Sequence, residues 1–298
     1  MSQAATLANR LVRSSPVYRV LVSMPAIGAA AVLVVILSDR GAATPGLTAA
    51  ALVATAAGLS ATSVGVFGGV LVPGLLLLGV EPRVAAPLSL LLQVIVIPLG
   101  AVSHAAVGNV QRSITVPLIL GGVIGSVTGA LLASTVPSMI ATRAVSVVIV
   151  VVGVIVLATL RTGYAAGYVE NEEIHPARIG GIGVAAGVAS GISGAGWGPI
   201  GVKLLILSRI DPRHAIGSSL VGRVAMAVAA IVTYAAVAAR SGGVTLDPRL
   251  FVVLLGASAA AMMPGTLLLG RLGRRRAAVA VALLSIGLAL PSLLGGGH

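Results

Sequence analysis

Two cations, Lys203 and Arg223, stand inside long apolar runs, whereas all seven acidic residues, Asp39, Glu81, Glu170, Glu172, Glu173, Asp211 and Asp247, fall in loops or at run ends. With its helix counted from Ala215, Arg223 lies nine residues in, about 13 Å from the start and so near the middle of a bilayer. A charge at that depth is costly unless it faces a cavity or a partner. A buried cation with no buried carboxylate points to an anion as ligand. It argues against a cation carrier or proton pump, which needs an acidic ligand or relay. Twenty residues before Arg223 ends "GISGAGWGPIGVK", with five glycines between Gly191 and Gly201, Pro199, the only tryptophan, Trp197, and the only lysine, Lys203. Such a run breaks a helix and leaves unpaired N–H groups where the next half-helix starts. Those donors, together with the helix dipole, attract anions. Pro199 suits the first turn of that half-helix, where its missing N–H costs nothing. The competing reading, that glycines only let helices pack closely, suits an isolated glycine better than five in eleven residues.

The solvent these elements need is set by composition. Of 298 residues, 57% are hydrophobic and 9% charged, where a soluble domain carries roughly 25% charge. Apolar runs of about 20 residues, the length that spans hydrocarbon as a helix, recur from end to end. The chain is read as an all-α polytopic membrane protein, since a barrel would show short alternating strands. The net charge of +12 does not indicate nucleic acid, because the arginines sit singly or in small clusters between apolar runs, as topology signals do. With no cysteine, disulfides, thiolate metal sites and a cysteine–sulfur relay are excluded. His175, His214 and His298 have polar or terminal settings and suggest no metal site; no cofactor is expected. No nucleophile or metal constellation marks an enzyme.

The organisation is a repeat preceded by one extra helix. Residues 1–40 form a basic cytoplasmic tail and a retained first helix over Val20 to Leu37. Residues 41–161 form the first repeat, 162–178 a polar loop, and 179–298 the second repeat. "AGLSATSVGVFGG" from Ala57 lies over "AGVASGISGAGWG" from Ala186, "EPRVAAPLSLL" from Glu81 over "DPRHAIGSSLV" from Asp211, and "GNV" at Gly108 over "GGV" at Gly242. Two homologous bundles, each opening with a glycine-broken segment, are a recurring transporter architecture. If each broken segment is re-entrant, the tail arginines and the cluster "RLGRRR" from Arg271 fall on the cytoplasmic side and the halves are inverted. If each crosses once, the charge bias is slightly worse and the repeats are parallel; the inverted arrangement is preferred.

The repeat sharpens the chemistry. The offset that carries Pro82 to Pro212 puts Arg223 over Gln93 and Ser219 over Ser89, so both halves place polar groups at one depth, where they meet at the pseudo-symmetry axis. The plainer reading is a polar contact between two helices. Trp197 either lines the site or anchors at the interface. Lys203 either faces the pathway or snorkels outward, and His104 either carries a coupling proton or bonds at the interface.

At this point the residues resemble a known family. "GVAAGVASGISGAGWGPIGVKLLILSRIDPRHAIGSSL" is similar to the second-half signature of the TauE/SafE sulfite exporters, and "GVFGGVLVPGLLLLGVEPRVAAPLSL" followed by "HAAVGNV" resembles that family's opening repeat. The resemblance implies a permease of the bacterial cytoplasmic membrane with two related halves, moving sulfite, sulfonates or similar small sulfur-containing anions, generally outward. It carries the site to Gly194, Gly196, Trp197 and Gly198 in the second break and to Gly65, Gly68 and Gly69 in the first. Ser218 and Ser219 take the Gly-Thr/Ser-Ser-Leu position. In the first half "PLSL" departs from that motif, so Ser89 alone supplies a hydroxyl there. The expected mechanism gives Arg223 the counter-charge and lets half-helix N–H groups with Ser219 and Ser89 replace the anion's hydration, while one half rocks against the other. An anion channel and a membrane scaffold are the rival classes. The expected surroundings are a small anion and lipid, with homo-oligomerisation left open.

Overall fold

The structure, a computed structural model, describes residues 44–161, 175–240 and 247–294, apart from positions 65, 107, 209, 211 and 273, together with single positions between 27 and 34. Among these residues the chain is helical, with no strand. In order, α1 is Thr44–Val64, α2 Gly68–Leu77, α3 Pro82–Ala106, α4 Arg112–Thr135 and α5 Ser138–Arg161. The second half follows with α6 Pro176–Ser193, a π-helical turn Trp197–Val202, α7 Lys203–Leu207, α8 Pro212–Arg240, α9 Pro248–Leu272 and α10 Arg274–Leu294. Each half thus runs long helix, break, short helix, then three long helices. Of the first helix expected over 20–37, the described positions are helical, and Val32 packs against the first core. Gly65, positions 162–174, the stretch around Gly242 and the side chain of His104 lie outside the described residues.

The local chemistry explains where these helices begin. α3, α6, α8 and α9 all open on a proline. Its fixed φ is ready for the first helical position, and its missing N–H is one that no helix could satisfy there. The helices therefore start two or three residues ahead of the apolar runs. α8 begins at Pro212 rather than Ala215, so Arg223 is the twelfth residue of its 29, roughly 16 Å along the axis.

Packing reverses the pattern of a soluble protein. α4 turns Gly121, Gly122, Gly125 and Gly129 inward, and on its other side exposes Val116, Leu120, Ile124 and Leu131. α5 likewise exposes Ile140, Val147, Val151 and Val154. Apolar side chains outside and glycine inside is the arrangement for lipid, where helix association comes from close packing rather than hydrophobic burial. By length and composition, Arg112–Thr135, Met139–Thr159 and Gly217–Ala239 suffice to cross a membrane. Other helices carry shorter apolar stretches, among them Gly46–Ala61, Pro82–Pro98 and Pro248–Ala261. The protein is a multi-pass membrane protein.

The halves interlock through matching pairs. α6 lies along α4, and its counterpart α1 lies along α9, each pair taking one helix from each half. A Cβ on Gly187 of α6 would strike the Gly122 carbonyl, and one on the matching Gly58 of α1 would strike the Ser258 carbonyl. α3 packs on α8 and α5 on α10, again helix against counterpart. Two apolar clusters fill the interior. The first gathers Leu71, Leu75, Leu88, Leu92, Ile149 and Leu254 around the first break; the second gathers Leu90, Leu118, Trp197, Leu205 and Met226 around the second. α3 contributes to both, which places its remaining polar face between them.

Candidate functional site

α6 ends because Gly194 turns left-handed, with φ 67° and ψ 4°, a conformation glycine adopts without penalty. The Ser193 hydroxyl donates to the Ala189 carbonyl at 2.6 Å and accepts from the Ala195 N–H at 3.0 Å, tying off the last turn. The turn aims the Gly194 carbonyl at α3. Ser89 Oγ donates to it at 3.1 Å and Gln93 Nε2 at 2.8 Å, while Gln93 Nε2 also lies 3.2 Å from Ser89 Oγ. Ser89 and Gln93 are four residues apart on one helix face, and both are buried.

The first break meets the second at the same point. Gly68, which opens α2, lies against the Gly194 carbonyl, and a Cβ on it would come 2.7 Å from Ala195 Cα. A Cβ on Gly194 would come 2.8 Å from the Ala86 carbonyl oxygen. Backbone of one half therefore touches backbone of the other where both chains leave the helical path.

Trp197 opens the π-helical turn and is 1% exposed. Its indole N–H donates to Ser219 Oγ and to the Ser219 carbonyl, both at 3.0 Å. The ring rests on two glycines: a Cβ on Gly122 would come 2.5 Å from Cη2, and one on Gly222 would come 3.0 Å from Cζ2. This burial excludes the interfacial-anchor reading of Trp197. One turn beyond Ser219 stands Arg223, 3% exposed. The pairs Ser89/Gln93 and Ser219/Arg223 thus hold matching positions on α3 and α8, two helices in contact.

The other expected residues divide. Ser218 points away from Ser219, accepting from the Gln111 N–H at 3.0 Å, and Gln111 Nε2 lies 3.2 Å from His214 Nδ1. It secures the turn before α4 and does not join the Trp197 cluster. Gly69 is buried next to Ser285 of α10, and Gly196 is buried against Ala189 and Ser190 of α6. Gly198 is buried within the π-helical turn, and Lys203 is half-buried where α7 begins. The glycine run also splits: Gly191 belongs to the packing face of α6, where a Cβ would meet Ser126 and Ala130 of α4, and the break begins at Gly194.

Several contributors escape a reading by letters. Tyr234 donates its hydroxyl to the Gly191 carbonyl at 2.7 Å, and Ser126 Oγ donates to the Met226 carbonyl at 3.1 Å. Gly122 and Ser126 sit at helical spacing within "GGVIGSVTG", a small-residue pattern that marks a packing face but does not name its partner.

A carbonyl that accepts from a hydroxyl and an amide, a buried guanidinium one turn from a hydroxyl, and two opposed helix breaks lie inside an apolar bundle. Residues 50–291 match the family model described as Sulfite exporter TauE/SafE. No curated protein and no solved structure matches the chain. The match runs through both halves and both breaks and covers most of the sequence, so the chain belongs to the TauE/SafE family of sulfite exporters.

Proposed function

We propose that the protein exports a small sulfur-containing oxyanion, of the sulfite, sulfonate or sulfoacetate kind, across the bacterial cytoplasmic membrane by alternating access. One observation carries this reading: Arg223 is buried midway along α8, one turn from Ser219, on a helix packed against α3, which carries Ser89 and Gln93 at the matching positions. A cation held at that depth stabilises a negative charge in place of its lost hydration. Gly194, Gly196, Trp197 and Gly198 of the second break, with Gly68 and Gly69 of the first, bring backbone donors and close approach to the same centre. Gly65, outside the described residues, is assigned with them through the family motif.

The same contacts suggest how access switches. In the state described, Ser89 and Gln93 give their donors to the Gly194 carbonyl, which lies against Gly68. An anion taking over those donors releases the carbonyl and loosens the contact between the halves. The halves are read as inverted repeats opening with re-entrant segments, with the N-terminus cytoplasmic. Support comes from the pairing of matching helices across the halves and from the arginine bias of the loops. His104 and Lys203 are the candidate coupling groups, and Ser218 acts by holding the turn before α4.

The test is counterflow of radiolabelled sulfite in proteoliposomes, beside thermal shifts with sulfite, sulfate, thiosulfate, sulfoacetate, taurine and chloride. Wild type is expected to show saturable sulfite exchange, and Arg223→Gln to lose it while melting cooperatively. Exchange unchanged in Arg223→Gln would remove the role given to that residue. Flux that does not saturate would instead indicate a channel.

A further inference from the structure

Buried and half-buried hydroxyls in this chain mostly find a carbonyl. Thr55, Thr115, Ser193, Ser208 and Thr233 each donate to the carbonyl four residues back in their own helix, the usual way such a group is satisfied in a helix interior, and Ser89, Ser126 and Ser258 donate to a carbonyl of another element. Ser285 of α10 departs from this pattern. It is 2% exposed, and its Oγ has no hydrogen-bond partner among the described residues. A buried hydroxyl left unpaired is disfavoured and calls for a reason. Ser134, Ser146 and Ser190 share the lack of a partner, but Ser285 is distinguished by what it faces.

Its Oγ lies 3.6 Å from where a Cβ on Gly69 would stand. Gly69 is the second residue of α2, a ten-residue helix that starts deep in the protein, with Gly68 through Leu75 all buried. The residue before it, Phe67, provides no side-chain cap. Val70 and Leu71 donate to the Phe67 carbonyl, both at 3.2 Å, whereas the N–H groups of Gly68 and Gly69 precede any carbonyl of their own helix that could receive them. Glycine at both positions lets other parts of the chain close on the helix start: a Cβ on Gly68 would strike the Gly194 carbonyl, and one on Gly69 would come 2.7 Å from Val66 Cγ1, with Ser285 Oγ the next neighbour. α10 packs along α2 and so delivers the hydroxyl to the helix start.

We propose that Ser285 Oγ, with the first-turn N–H groups at Gly68 and Gly69, forms a subsite for one or more oxygens of the transported oxyanion. The proposal rests on the transport reading above and adds to it a residue from the last helix. A hydroxyl and successive amides converge as separate donors, which matches an anion with several oxygens on one sulfur better than a single-centred halide. The dipole of α2 favours negative charge at the same end. The guanidinium of Arg223 supplies charge, and this subsite supplies selectivity for the oxygen-bearing face.

The experiment titrates purified, full-length wild type, Ser285→Ala and Arg223→Gln with sodium sulfite and, separately, with sodium chloride, reading the ligand-dependent rise in melting temperature. Ser285→Ala is expected to bind sulfite about tenfold more weakly, the loss of one hydrogen bond to a charged ligand. Chloride binding should change less, and the ligand-free melting temperature should not fall, because the deleted hydroxyl makes no bond among the described residues. Sulfite affinity unchanged in Ser285→Ala while Arg223→Gln loses it overturns the subsite and leaves the transport reading standing. Weaker binding accompanied by a lower ligand-free melting temperature also overturns it, since the residue then acts through the fold. If wild type binds neither sulfite, thiosulfate nor sulfoacetate, both readings fall together.

Discussion

The side-chain amide of Gln93 donates to the Gly194 carbonyl at 2.8 Å, so a helix of the first half holds the break of the second. That carbonyl is available because Gly194 is left-handed and leaves its helix. Ser89 shares it at 3.1 Å, and no Cβ fits at Gly68 on its other side. A single buried acceptor is therefore the meeting point of three elements.

Removing those donors leaves a buried carbonyl short of partners. Gln93→Leu is expected to lower stability by about 1–3 kcal/mol, with a further loss in Ser89→Ala/Gln93→Leu. A double-mutant cycle on melting in detergent should show coupling between the two, since both bond one oxygen. Strict additivity would mean that they do not share it in solution.

At Gly194 itself, alanine meets two obstacles. The residue would sit at φ 67° and press its Cβ to 2.8 Å from the Ala86 carbonyl oxygen. Gly194→Ala should cost at least about 1 kcal/mol and reduce exchange in proteoliposomes, because the carbonyl loses its aim at Ser89 and Gln93.

Along α4 and α6 the close approach makes opposite predictions for two glycines. A Cβ on Gly125 would strike the Val184 carbonyl, whereas one on Gly181 meets nothing within 4 Å. Gly125→Ala should destabilise by roughly 1–3 kcal/mol, and Gly181→Ala should be neutral or stabilise by up to about 1 kcal/mol through helix propensity. Thermal melting of the two variants side by side decides it.

Trp197 is the only tryptophan and reports on its own surroundings. Buried and bonded to Ser219, it should resist quenching by aqueous iodide. Ser219→Ala should shift its emission, while Ser218→Ala, which loosens the Gln111 turn instead, should leave it unchanged. Ready quenching in wild type would contradict the buried position.

How far the letters reach can be followed residue by residue. Prolines at 82, 176, 212 and 248, apolar runs between them and a glycine cluster in each half are local signals, and each became a helix start, a helix or a break. Gly194 and Gly191 look alike in sequence, yet one ends α6 and the other packs it on α4, a distinction that depends on what lies opposite. Ser218 and Ser219 are adjacent, and the helix turns them to different partners.

By itself the sequence determined the solvent, the helical class and the apolar setting of Arg223, because composition and period are properties of the chain alone. Only the tertiary structure decided that Ser89 and Gln93 spend their donors on Gly194, that Gly68 backs onto the same carbonyl, and that Ser285, beside Gly69, has no hydrogen-bond partner among the described residues. Those facts join residues from 101 to more than 200 positions apart. Which small residue lets which backbone approach is fixed by the packing of whole helices, and no local pattern records it.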